Sequence, residues 1–277
     1  MNRHALVLLV AIVFCFGIGA EANAGIILGT AESFAVIAGS TVTNTGSTTI
    51  TGNLGVSPGS AITGFPPGTV SGGTIHADGV SLQAQSDVTI AYNGLAGMPA
   101  DDNLTGQDLG GLTLTSGVYH FDTGAQLTGT LTLDAQDADN AFWVFQIGST
   151  LTTASSSAVV VINPGPNDGR DYGVFWQVGS SATLGTTTAF EGNILALTSI
   201  TLDTGATILN GRALARNGAV TLDTNVISNV CPNGGPGFSG GLKFDDAGNV
   251  VPVIPEPASL MLLALGGLAL IRRRRST

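Results

Sequence analysis

The chain has 277 residues, 43% of them hydrophobic, only 10% charged and 6% aromatic, with 40 glycines and a formal net charge of −10. So many turn-forming glycines beside apolar residues that are mostly small or β-branched argue against a disordered or helix-rich chain and point to short strands joined by tight turns. The net charge has the wrong sign for a nucleic-acid partner or for an anionic lipid surface.

In chain order, residues 1–24 have the layout of a secretory signal peptide. A weakly basic start (Arg3, His4) precedes an apolar run from Ala5 to Ala20 and then Ala22-Asn-Ala24. Cleavage there makes Gly25 the first mature residue and removes Cys15, leaving Cys231 alone and an internal disulfide impossible. From Ile26 to about Ile75 the alternation in Thr41–Thr45 and Thr48–Thr51 marks strands, with turns at 52–59 and 64–68. Residues 78–98 read as one helix: Val80, Ala84, Val88, Ala91 or Tyr92, and Leu95 share a face, Asp78 caps the start and Pro99 stops the end. Strands resume after Asp101, through 118–121, 127–133, 143–153 and 158–162. Ile200-Thr-Leu-Asp-Thr204 then returns as Val220-Thr-Leu-Asp-Thr224, and Thr183-Leu184 precedes Thr201-Leu202 by eighteen residues. Eighteen to twenty residues per repeat suits one coil of a parallel β-helix with three short sides, which buries its inward residues only against neighbouring coils. Residues 231–252, rich in Gly and Pro without a period, read as a flexible linker.

The end of the chain, 253–277, joins Pro255-Glu256-Pro257 to about fourteen apolar residues and then Arg272, Arg273, Arg274 and Arg275. This segment resembles the PEP-CTERM sorting signal. The resemblance implies a short transmembrane segment with its arginines on the cytoplasmic side, processing by an exosortase in a Gram-negative bacterium, and a protein exported to the envelope surface or released. Loss of both ends removes five of the nine basic residues but only Glu21 and Glu256 among the acids, so the retained body is more acidic still.

The body, 25–230, has a resemblance of its own. The strings at 35–45, 52–59, 61–65, 174–184 and 210–214 resemble the microbial ice-binding protein family over about Ile26 to Asn229. That implies a mainly β fold, a right-handed discontinuous parallel β-helix, or triangular solenoid, with one long α-helix packed alongside. It also implies ice, or an ordered water surface, as the partner of one flat Thr/Ser/Ala face. Strand alternation places Thr183, Ser199, Thr201, Ala219 and Thr221 outward, with Thr198 sharing the face through a bulge. Asp203 and Asp223 share that outward parity, and Leu197 and Arg216 stand beside it. With a sorting tail typical of exopolysaccharide producers, a non-enzymatic adhesin or matrix module binding exopolysaccharide is the second reading.

Enzymatic and metal chemistry find little footing. Asp134, Asp137 and Asp139, and Asp168, Arg170 and Asp171, fall in connections rather than on one strand face, so no carboxylate pair is fixed across a cleft. The first trio could at most hold calcium weakly. His76 and His120 lack metal-ligand spacing, and Trp143 and Trp176 lie in apolar strands that suit a core. The expectation is a protein without catalytic residues, metal or cofactor.

Overall fold

The computed structural model describes residues 27–165, 171–230 and 237–253. Its strands stack in parallel into a three-sided solenoid, and each coil visits side 1, side 2 and side 3 in turn. Side 1 holds Gly117–Phe121, Phe142–Ile147, Gly173–Val178, Phe34–Ala38 and Asn53–Val56. Side 2 is a separate seven-stranded sheet running from Ala125–Leu127 through Leu151–Thr153, Ala182–Leu184, Ile200–Leu202, Val220–Asp223 and Thr41–Thr45 to Ala61–Thr63. Side 3 holds Thr130–Asp134, Ala158–Ile162, Val226–Ser228, Thr49–Thr51 and Thr69–Ser71.

Two long strands, Ala189–Ala196 and Thr207–Ala215, pass from side 3 to side 1 without a break, and the register shifts between Glu191 and Asn193. The corner is possible because glycines 192 and 211 face each other there. Gly192 has φ +96, and a Cβ on Gly211 would strike the Gly192 backbone.

The coils are not stacked in chain order. The N-terminal strand Phe34–Ala38 pairs with Thr207–Ala215 (Val36 opposite Ala213), and Thr41–Thr45 pairs with Val220–Asp223. The N-terminal coils therefore extend the C-terminal end, and the chain must return to the opposite end before it can continue. On side 1 that return spans eight strand spacings of about 4.8 Å, or about 38 Å. Helix α1, Gly79–Ala96, supplies about 27 Å of it at about 1.5 Å for each of its 18 residues, and the flanking residues cover the rest.

Asp78 caps α1 as the sequence predicts, accepting from the Val80 and Ser81 amides, while Ser81 Oγ accepts from the Asp78 amide at 3.0 Å. The buried stripe differs from the expected one at its start: Val80 faces solvent, and Ser81 and Gln85 are buried instead. Gln85 earns its place by donating to the Ala215 carbonyl of side 1 at 2.9 Å. Side 1 is consequently buried on both surfaces. Val118, Val144, Phe175, Leu195, Leu214 and Ile37 point at the helix, while Tyr119, Phe145 and Trp176 point into the solenoid. There Phe145 stacks on Trp176 with ring centroids 3.9 Å apart, and Phe190 closes on the other face of the stack at 4.9 Å. Trp143 and Trp176 are both fully buried core residues.

The stretch read as a flexible linker is in part a built element. Residues 237–241 run along the edge between sides 3 and 1, crossing coil after coil: the Gly237 carbonyl accepts from Arg212, the Phe238 carbonyl from Asn193 and Val174, and the Gly240 amide donates to Tyr172. Leu242–Phe244 and Val250–Pro252 then form an antiparallel hairpin, with Leu242 and Val250 buried against the helix layer. Sequence patterning missed this strap because its four inward-packed apolar residues, spread over thirteen positions (Phe238, Leu242, Phe244, Val250), have neither strand nor helix period. Cys231 lies outside the described residues, as do Asp168 and Arg170, the signal peptide and the sorting motif from Pro255 to Arg275 with its apolar run. Among the described residues no helix is long and apolar enough to cross a membrane.

Candidate functional site

The helix covers side 1, and side 3 is uneven: Val160, Leu209 and Val226 protrude from it beside Glu191. Side 2 is open and regular. Its strands are three to five residues long and bury every second side chain, as in Ala182, Leu184, Ile200, Leu202, Val220 and Leu222. The residue between each inward pair points out, so one outward position recurs on every rung.

Register brings those positions into a single column. Gln126 lies beside Thr152, Thr152 beside Thr183, Thr183 beside Thr201, Thr201 beside Thr221, Thr221 beside Thr43, and Thr43 beside Thr63. Six consecutive rungs thus carry threonine, and with Gln126 the column runs about 29 Å at about 4.8 Å per rung. Thr43 Oγ1 lies 3.5 Å from Thr221 Oγ1. The hydroxyls of Thr63, Thr152, Thr183 and Thr201 have no hydrogen-bond partner among the described residues, which leaves them to water.

The flanks differ. Two residues before each column position stand Thr150, Ser181, Ser199, Ala219, Thr41 and Ala61, all small. Here Ser199 Oγ accepts from the Ala219 amide at 3.2 Å and Ser181 Oγ from the Ser199 amide at 3.3 Å, so these serines brace successive rungs. On the opposite flank Asp203 and Asp223 interrupt the neutral surface. Asp223 accepts from the hydroxyls of Thr204 and Thr224.

The residues expected at the site therefore sort into three places. Thr183, Thr201 and Thr221 occupy the central column, and Ser199 and Ala219 occupy the braced flank. Thr198 lies in the exposed turn between Ala189–Ala196 and Ile200–Leu202, and no bulge brings it onto the face, because the register shift in this chain segment falls earlier, at Glu191/Asn193. Arg216 folds away over the Tyr92 ring at 4.5 Å, with its Nε donating to Thr89. Sequence reasoning missed Thr152, Thr43 and Thr63. The signal that could have found them is the step from an apolar residue to threonine at a strand start, Leu151-Thr152, Val42-Thr43 and Ile62-Thr63, the same as in the three visible coils.

No carboxylate pair flanks a cleft on this face, and among the described residues no three His, Cys, Asp or Glu side chains converge as metal ligands. The arrangement offers a regular lattice of methyls and hydroxyls, suited to adsorption on something equally regular.

Comparison with known proteins bears on what that is. The family model described as ice-binding-like matches residues 36–228, and the PEP-CTERM protein-sorting motif matches 253–275. An ice-binding protein of Nostoc sp. is 57% identical over 230 residues, 83% of this chain and 84% of the relative; one of Colwellia sp. is 34% identical over 80% and 90%. Among solved structures, an ice-binding protein from an Antarctic biological consortium shares 48% identity with a TM-score of 0.68, covering 74% of this chain and 90% of that one. One from the Antarctic ascomycete Antarctomyces psychrotrophicus shares 42%, also at 0.68, over 73% and 96%.

Proposed function

The chain belongs to the ice-binding-like family, and from that premise we propose that it adsorbs to ice through the threonine column of side 2 and its small-residue flank, slowing ice growth or recrystallisation. The observation that carries this reading is the run of threonine on six successive rungs, a periodic surface with no partner among the described residues for most of its hydroxyls. One buried methyl contributes about 0.8 kcal/mol, little more than thermal energy, but six acting together reach about 5 kcal/mol before losses. Adsorption is collective and involves no chemical step, metal or cofactor.

Thr183, Thr201 and Thr221 form its centre, Ser199 and Ala219 keep the wall flat, and Thr198 borders it. The PEP-CTERM match supports export to the outside of a Gram-negative envelope, with an exosortase recognising Pro255-Glu256-Pro257 and the arginines 272–275. A non-enzymatic adhesin or matrix module that binds exopolysaccharide or acts structurally is the second reading, and it is supported by the sorting tail.

An ice-recrystallisation assay on the purified protein tests the main reading. Wild type should inhibit crystal coarsening, and Thr201→Tyr with Thr221→Tyr should abolish inhibition at unchanged Tm, because both side chains leave the surface without disturbing the core. A wild type without any effect on ice, but with specific hits on a glycan array, would transfer the protein to the polymer-binding reading.

A further inference from the structure

The direction in which the body faces on a cell follows from where its chain leaves. Each coil runs side 1, side 2, side 3, so the edge between sides 3 and 1 lies opposite side 2 in the three-sided section. The strap 237–241 follows that edge: Ser239 bridges Gly173 at the start of a side-1 strand, and Gly241 packs on the Asn140 and Ala141 carbonyls at the start of another. The hairpin then reaches α1, where Val250 and Phe244 sit against Gly94, and turns back. Its last described residue returns to the same edge, for the Val253 amide donates to the Gly241 carbonyl at 2.9 Å. The sorting-motif match begins at this very residue, Val253. Pro255 is two residues further on, at most about 7 Å of chain. No spacer separates the folded body from the signal that engages the membrane.

We propose that the protein, while joined to its sorting tail, stands on the outer face of the cytoplasmic membrane with the edge between sides 3 and 1 and the hairpin turned toward the lipid, and side 2 turned away from it. The contact is across water, since Asp139 and Asp246 are exposed on this inward aspect and carry the same sign as anionic lipid. The orientation rests on the position of Val253 and the strap; that side 2 meets ice, once the tail is cut, rests on the reading above.

Single cysteines in a Cys231→Ser full-length protein test it, in a host that lacks an exosortase so that the tail stays attached. Thr201→Cys and Thr152→Cys report side 2; Asp246→Cys reports the hairpin. With a bulky, membrane-impermeant maleimide on spheroplasts stripped of their outer membrane, both side-2 variants should label as they do in detergent-extracted protein, while Asp246→Cys should lose labelling on spheroplasts and recover it on extraction. The reverse pattern, equal labelling of all three on spheroplasts, or protein found only in the medium would overturn the proposal. An ice assay on the extracted protein separates the two claims: loss of ice activity there leaves the labelling result intact.

Discussion

At the scale of single residues, the buried charge at Arg212 carries the largest stake. Its guanidinium is about 1% exposed and meets the Glu32 carboxylate at 2.6 Å, the Glu32 carbonyl, Asn193 Oδ1 at 2.7 Å and the Gly237 carbonyl at 2.8 Å. One side chain thus ties the N-terminal segment, the central coils and the strap. Removing one partner of a buried pair strands the other, so Arg212→Ala should cost about 3–5 kcal/mol in a denaturant titration. Desolvation raises the Glu32 carboxyl above its ordinary range despite the neighbouring Arg212. Burial pushes Glu191 up to about 7, with the hydrogen bond from Asn210 Nδ2 at 2.9 Å pulling the other way. A raised carboxyl binds its proton more tightly folded than unfolded, so its contribution to stability is present at low pH and fades as pH rises from about 4.5 to about 7. Glu191→Gln should therefore flatten the fall in Tm across that window and raise Tm at pH 7.5, where wild type holds a costly half-buried charge.

At the scale of elements, α1 and the hairpin depend on each other. Gly94 is where the hairpin lands, and a Cβ there would meet Val250 Cγ2 at 2.5 Å. Gly94→Val should release the hairpin while the solenoid persists, seen as fast hydrogen exchange confined to about residues 242–253. Loss of the helix cap in Asp78→Ala should cost about 1 kcal/mol in the same denaturant titration. The helix was legible in the sequence because its cap, apolar spacing and Pro99 agree with one another. The late coils were legible because eighteen and twenty residues separate Thr183, Thr201 and Thr221. Thr152 escaped because 31 residues part it from Thr183, the connection at 163–172 having lengthened that coil. Thr43 escaped for a topological reason: its neighbour Thr221 lies 178 residues away, and no local period can report a pairing made between chain ends.

At the scale of the whole molecule, the face behaves as one object, and its weak points follow from its length. A bulky residue in mid-column divides the run of threonines, whereas one at an end only shortens it. Thr201→Tyr alone should therefore raise the concentration needed to arrest ice recrystallisation more than Thr63→Tyr does, with Tm unchanged in both. Equal effects would mean that each threonine binds for itself. The discontinuous stacking sets a second constraint. Thr43 waits, from the time it is made, for a partner strand encoded 178 residues later, and Thr63 reaches the column only through Thr43. A chain crossing a membrane from its N-terminus delivers the first strands with their edges unpaired and only the final coils with a partner for them. The working surface is then assembled last, by closure rather than by growth. A secreted chain halted midway has no lattice to offer, and its exposed early edges become its chief hazard of aggregation until the end arrives.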